Sequence, residues 1–187
     1  MTKMEITDLL IKYIENPKDS NINFELGCKY EDIGQTAAAA GYYLRSVEFG
    51  YDDNRIYEAL LRIALCFEKQ GNRVFTIKGI LLRAISLLPK RPEAYFLLSR
   101  TYERNKDWQE SYTMAIIGYT LATDEPNTIT DVEYPNRWVF LFEQAVSGWW
   151  IGLHDESIRL FKTLFMDYKL TPLYRTAVMN NLDNLDK

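Results

Sequence analysis

Between Pro92 and Leu121 the chain reads PEAYFLLSRTYERNKDWQESYTMAIIGYTL, with apolar residues returning every three or four positions and small residues set among them. That period belongs to helices with one buried face. Ser99, Ser111 and Gly118 fall among the apolar or aromatic Tyr95, Leu98, Tyr102 and Ala115, and small side chains at a crossing let two helices approach closely. The stretch therefore predicts a helical hairpin. The same register returns over Asn21 to Gly50 (Leu26, Gly27, Tyr30, Gly34, then Ala39, Tyr43, Ser46) and over Tyr57 to Pro89 (Leu60, Ile63, Ala64, Phe67, Gly71, then Ile77, Leu81, Ala84). A fourth, more divergent copy runs from Trp138 to Phe165, with Leu141, Ala145, Gly148 and Gly152, then Ser157, Phe161 and Leu164. Ile6, Leu9, Leu10, Tyr13 and Ile14 predict a further helix near Glu5 to Glu15. Thr171-Pro172 marks the start of a last one, Thr as cap and Pro at the first helical position. In it Leu173, Val178, Leu182 and Leu185 are expected to cover the end of the stack.

A hairpin of this kind cannot bury its apolar face alone and must stack on neighbours. The pattern resembles the tetratricopeptide repeat, a helix–turn–helix unit of about 34 residues. The resemblance implies an all-α, right-handed superhelix (solenoid) of about four hairpins, with an N-terminal helix and a C-terminal capping helix. The expected organisation is one domain over 1–187: N-terminal helix 1–19, repeats 20–53, 54–91 and 92–123, an inserted loop 124–136, a fourth repeat 137–168 and a capping helix 169–187. The small residues Gly27, Ala64, Ser99 and Ala145 are separated by 37, 35 and 46 positions, so the last interval exceeds the usual period by about twelve residues. The surplus falls on DEPNTITDVEYP, Asp124 to Pro135. Insertions in repeat proteins emerge on one face, often the binding face, and Tyr134 in this loop is expected to be available to a partner.

Composition adds limits. The chain holds 47% hydrophobic residues, with 13 Tyr, 9 Phe and 4 Trp, enough for a continuous apolar layer and unlike a disordered chain. No run approaches the ~20 apolar residues of a membrane span, and the N-terminus lacks the apolar core of a signal peptide. The expectation is a cytoplasmic protein, in the host cytoplasm if viral. Cys28 and Cys66 are too few for a disulfide framework or a zinc site, and are read as reduced, buried residues. His154, the single histidine, follows Gly152-Leu153 at a hairpin turn. Asp52-Asp53 is read as a helix cap rather than a metal-binding pair. There is no phosphate-cradling glycine loop, nucleophile elbow or His-Glu-Xaa-Xaa-His helix. The sequence therefore predicts no enzyme, no cofactor and no metal.

Charge is unevenly distributed. Residues 1–68 carry 7 basic and 12 acidic side chains, 69–106 carry 9 and 2, and 107–187 carry 6 and 12, giving −5, +7 and −6. The central band is Lys69, Arg73, Lys78, Arg83, Lys90, Arg91, Arg100, Arg104 and Lys106. Read functionally, it attracts an acidic peptide, a phosphate-bearing group or an acidic partner domain; read structurally, it is a solvated face. Nucleic acid fits less well, because the whole chain is acidic.

In the family resembled, the first helix of each pair lines the concave surface. On this register the expected groove comprises Phe24 with Cys28, Leu61 and Leu65, Phe96, Arg100 and Arg104, then Phe142, Val146, Trp149 and Trp150. Phe24 and Cys28 stand where the family's chaperone-binding members carry the first polar pair of a carboxylate clamp, which argues against that specialisation. The segments CFEKQGNR (66–73), LLPKRPEAYFLLSRTYE (87–103), DVEYP (131–135) and FEQAVSGWWIGL (142–153) resemble the modules that accompany glycosyltransferases in bacteria and marine cyanobacterial viruses. The expected function is a non-catalytic scaffold that binds a protein or peptide through an aromatic groove; self-association is the competing use of that surface. The alternative is an accessory module of a glycosyltransferase system, docking the enzyme or an acidic acceptor.

Overall fold

The computed structural model describes residues 5–123, Val132 and 134–185. Ten helices account for most of them: α1 (Ile6–Glu15), α2 (Ser20–Asp32), α3 (Thr36–Phe49), α4 (Asp53–Gln70), α5 (Val74–Leu87), α6 (Pro92–Arg104), α7 (Trp108–Leu121), α8 (Val139–Trp150), α9 (His154–Asp167) and α10 (Pro172–Leu185). No strand occurs among the described residues. Four hairpins, α2–α3, α4–α5, α6–α7 and α8–α9, follow one helix and precede another, as the periodicity predicts.

Local chemistry sets the ends. The Asp19 carboxylate accepts from the backbone N–H of Asn21 and Ile22 ahead of α2, and Asp52 accepts from Asn54 N–H ahead of α4, satisfying donors that have no partner within the first turn. Each hairpin turn contains a residue of positive φ: Gly34, Gly71, Gly152 and, in the third, Lys106 at 64°. Glycine takes that conformation without a Cβ penalty; Lys106 does not.

The helices group into two compact units, α1–α5 and α6–α10. In the first, Leu26, Tyr43, Tyr57, Leu60, Ile63 and Leu81 are buried. Gly27 lets α2 and α3 meet: a Cβ there would lie 2.5 Å from the Tyr43 ring. A polar staple joins the two hairpins. Burial pushes the Tyr43 phenol far above its ordinary pKa, so it stays protonated and donates to Glu31 Oε2 at 2.8 Å. Arg62 Nη1 donates to the same oxygen at 3.1 Å, and its Nε to Glu58 at 3.3 Å.

In the second unit Phe96, Leu98, Phe140, Phe161, Leu164 and Val178 are buried. Ser99 Oγ donates to the Ser111 carbonyl at 3.0 Å, and Ser147 Oγ donates to Ser111 Oγ at 2.7 Å, so the small residues joining α6, α7 and α8 also satisfy one another's hydroxyls. A Cβ on Gly118 would overlap the Phe140 ring. The last helix covers α8 and α9 differently from the expectation. Leu173 is 78% exposed, whereas Val178 is buried and Tyr174 packs edge-on against Trp138 and Phe142. Positions 174 and 178 share a helix face, and 173 lies about 100° around from 174. Leu182 is half-buried, and the side chain of Leu185 lies outside the described residues.

Candidate functional site

Seven of the thirteen residues of α6, Glu93 to Ser99, are buried, because this first helix packs against both α7 and α8. Its accessible strip begins at Arg100 and continues through Glu103 and Arg104. On α8 the strip is Phe142, Val146, Trp149 and Trp150, the i, i+4, i+7, i+8 series of one helical face. The strips meet α10 around a cavity of about 460 Å³, lined by Arg100, Glu103, Arg104, Phe142, Glu143, Val146, Leu173, Tyr174 and Ala177. Val146 also borders a second cavity of about 270 Å³, with Trp149, Trp150, Phe161, Asn181 and Asn184.

Aromatic rings build the wall between them. Phe142 meets Tyr174 at 5.0 Å and Phe161 at 5.9 Å, both edge to face. Trp149 packs on His154 at 4.2 Å. Trp150, 61% exposed, stacks on Trp108 at 5.2 Å with the rings 14° apart, leaving a broad indole surface in solvent. Glu143 sits at 5% exposure among these groups and makes no hydrogen bond or ion pair with another described residue. Burial first, then the neighbouring Glu103, drives its pKa up to about 8, against the opposing pull of Arg100 and Arg104. Burial raises the Glu103 pKa as well, with Arg100 opposing.

Of the residues expected from sequence, Arg100, Arg104, Phe142 and Val146 come together in the larger cavity, and Val146, Trp149 and Trp150 in the smaller. Others are placed differently. Phe24 and Leu61 are buried in the first unit and Leu65 is half-buried; Phe24 lies under the Arg55 guanidinium at 4.3 Å and against Tyr43 at 5.4 Å. Phe96 is fully buried, 5.7 Å from Tyr134 and 6.2 Å from Phe140. Tyr134, expected in an open loop, is itself buried because its ring completes this aromatic cluster. Its hydroxyl finds no hydrogen-bond partner among the described residues. The rest of the inserted loop, apart from Val132 and 134–136, lies outside the described residues.

Several lining residues were missed from sequence, Glu103, Glu143, Tyr174 and Ala177 among them. Glu103 and Glu143 read as ordinary helical carboxylates, although Glu143 follows Phe142 within the most apolar helix of the chain, a signal of burial. Tyr174 was legible as the i−4 partner of Val178. The basic band is partly satisfied within the molecule: Lys69 pairs with Glu31 at 3.7 Å, Arg91 with the buried Glu93 at 2.7 Å, and the Arg100 guanidinium lies over the Phe96 ring at 5.3 Å. Both cysteines are free thiols, Cys66 buried and Cys28 half-buried. Asp52 acts as a cap. Among the described residues no three metal-ligating side chains are gathered, and no helix is long and apolar enough to cross a membrane.

No protein-family model matches the sequence, and no curated protein is significantly similar to it. Solved structures match its fold. YrrB, a TPR protein with an unusual peptide-binding site, gives a TM-score of 0.70 at 9% identity over 94% of this chain and 81% of its own. MamA gives 0.69 at 16% over 94% and 89%. A putative kinesin light chain with nearly identical TPR-like repeats from Podosopora anserina gives 0.62 at 18% over 91% and 87%. At these identities the likeness is one of architecture.

Proposed function

From a tetratricopeptide-like array whose second unit carries an aromatic-walled cavity, we propose that this protein is a non-catalytic scaffold that binds a partner protein or peptide at the face formed by α6, α8 and α10. The observation that carries the reading is the convergence of Phe142, Val146 and Tyr174 on one cavity, beside the exposed Trp150 stack. Aromatic anchors in partly closed pockets supply most of the binding energy at protein interfaces. YrrB is a structural neighbour with a peptide-binding site, which supports the same use of this fold. A cytoplasmic location belongs to this reading, since two unpaired thiols suit a reducing compartment.

Val146 borders both cavities and is half-buried, so Val146→Arg fills the face with little change to the core. Recovery of the partner from the native cell should fall at least tenfold with this variant while helical circular dichroism is retained. Undiminished recovery would contradict the assignment. The segments resembling glycosyltransferase-associated modules support a second reading of the partner's identity, a sugar-transfer enzyme held by this chain. Under that reading the recovered partner transfers sugar and the purified chain alone does not; turnover by the chain itself would overturn the non-catalytic assignment.

A further inference from the structure

Resting on the reading of this face as a partner site, the larger cavity can be assigned a chemistry. Its two carboxylates and two arginines are not equivalent. Arg100 lies over Phe96, and both Arg100 and Arg104 are engaged in further interactions. Glu143, nineteen-twentieths buried and lining the cavity, has neither a hydrogen bond nor an ion pair among the described residues, and neither has the Glu103 carboxylate beside it. Neither carboxyl is among the fully enclosed, unpartnered polar groups of the described residues; both line the cavity, so their oxygens open on it. The cavity thus has acceptors to fill, and its walls, Phe142 and Tyr174, present ring surface to which the stem and head of a cationic side chain are attracted.

We propose that the cavity takes a lysine side chain of the partner, its ε-ammonium seated between Glu143 and Glu103 and its methylene stem lying along Phe142 and Tyr174. An acidic side chain would meet two carboxyl groups there and would have to compete for arginines already engaged. Empty, the site keeps Glu143 protonated through neutral pH, because burial and Glu103 outweigh Arg100 and Arg104. The charges acting on it all come from α6; α10 adds the titratable Tyr174 to the same cavity, and α7 and α9 add none. An ammonium entering the site favours the carboxylate, so binding expels the Glu143 proton to solvent.

The test is NMR titration of the full chain with three capped tripeptides: Leu-Lys-Leu, Leu-Glu-Leu and Leu-norleucine-Leu. The lysine peptide should give saturable shifts at Phe142, Glu143 and Tyr174, with roughly tenfold or greater preference over norleucine at pH 8. Its affinity should rise about tenfold per pH unit between pH 6 and 7 and level off above pH 8, while lysine itself stays charged. Glu143→Gln should abolish both the preference and the pH dependence, and Glu103→Gln should reduce the preference with the fold intact. Preference for Leu-Glu-Leu would make the arginines the recognition groups and overturn the proposal. So would equal binding of lysine and norleucine, or binding of none of the three. If partner recovery still depends on Val146 in those cases, the scaffold reading stands and only the lysine assignment falls.

Discussion

Burying a carboxyl group opposes folding wherever the unfolded chain would ionise it, and Glu143 carries this opposition in full. Its native pKa of about 8 lies above its ordinary value of 4.5, so the folded state holds a proton that the unfolded state releases, and stability falls as pH rises through that window. Below pH 4.5 both states are protonated and the penalty vanishes. Glu143→Gln, which needs no ionisation, should therefore stabilise the protein by on the order of a few kcal/mol at pH 8 and hardly at all at pH 4.5; urea melts at the two pH values measure the difference. The same carboxyl is the group assigned to lysine, a case of stability yielding to a binding site. Elsewhere single residues act through packing. Gly118→Ala places a methyl group in the Phe140 ring and should cost about 1–3 kcal/mol by overpacking. Phe96→Ala should cost about 3–5 kcal/mol, because Phe96 is core; loss of binding in that variant would report unfolding. Gly118 was legible in the sequence as a small residue at a crossing. Glu143 was not, because burial of a charge depends on which other helices meet around it, here α6 and α10 at the same cavity.

At the scale of helices and turns, the sequence predicted all ten elements, since each carries its own apolar period and several carry a cap. It did not predict which face of each first helix stays open. Phe24, Leu61 and Phe96 occupy positions expected to face the groove, yet α4 contacts both α3 and α5, and α6 contacts both α7 and α8. Phe24 is covered by Tyr43 and the Arg55 guanidinium and Phe96 by Tyr134 and Phe140, whereas α8, which also packs on two neighbours, keeps its full expected series accessible. Tyr134 was misplaced for a similar reason: a loop aromatic is open only if no cluster needs it, and Phe96 with Phe140 does. The turns give a cleaner prediction. Three of the four hairpin turns carry a positive-φ glycine, the α4–α5 turn with Asn72 beside it, and the α6–α7 turn carries Lys106 instead. Lys106→Gly should relieve a left-handed strain of ~1–2 kcal/mol, partly offset by the greater freedom of glycine in the unfolded chain, and a rise in thermal midpoint of a few degrees is the expected reading. An unchanged or lowered midpoint would show that the strain is already relieved by neighbouring contacts.

Across the whole molecule, the +7 segment from 69 to 106 suggested an acidic partner, and the structure distributes much of that charge among internal contacts. Lys69 and Arg91 face their own carboxylates, and Arg100 faces a ring. Net charge along the sequence counts donors and cannot show which are already occupied. In the second unit the face of α6, α8 and α10 stays accessible, with its aromatic wall and the Glu103 and Glu143 carboxyls lining its cavity. Site-resolved photo-cross-linking addresses this assignment most directly. A photoreactive phenylalanine analogue is placed at Val146 in one protein and, in another, at Phe75, an exposed position on the second helix of the second hairpin. Irradiation in the native cell should join the partner to the Val146 position and leave Phe75 unlinked. A partner cross-linked at Phe75 and absent at Val146 would contradict the account.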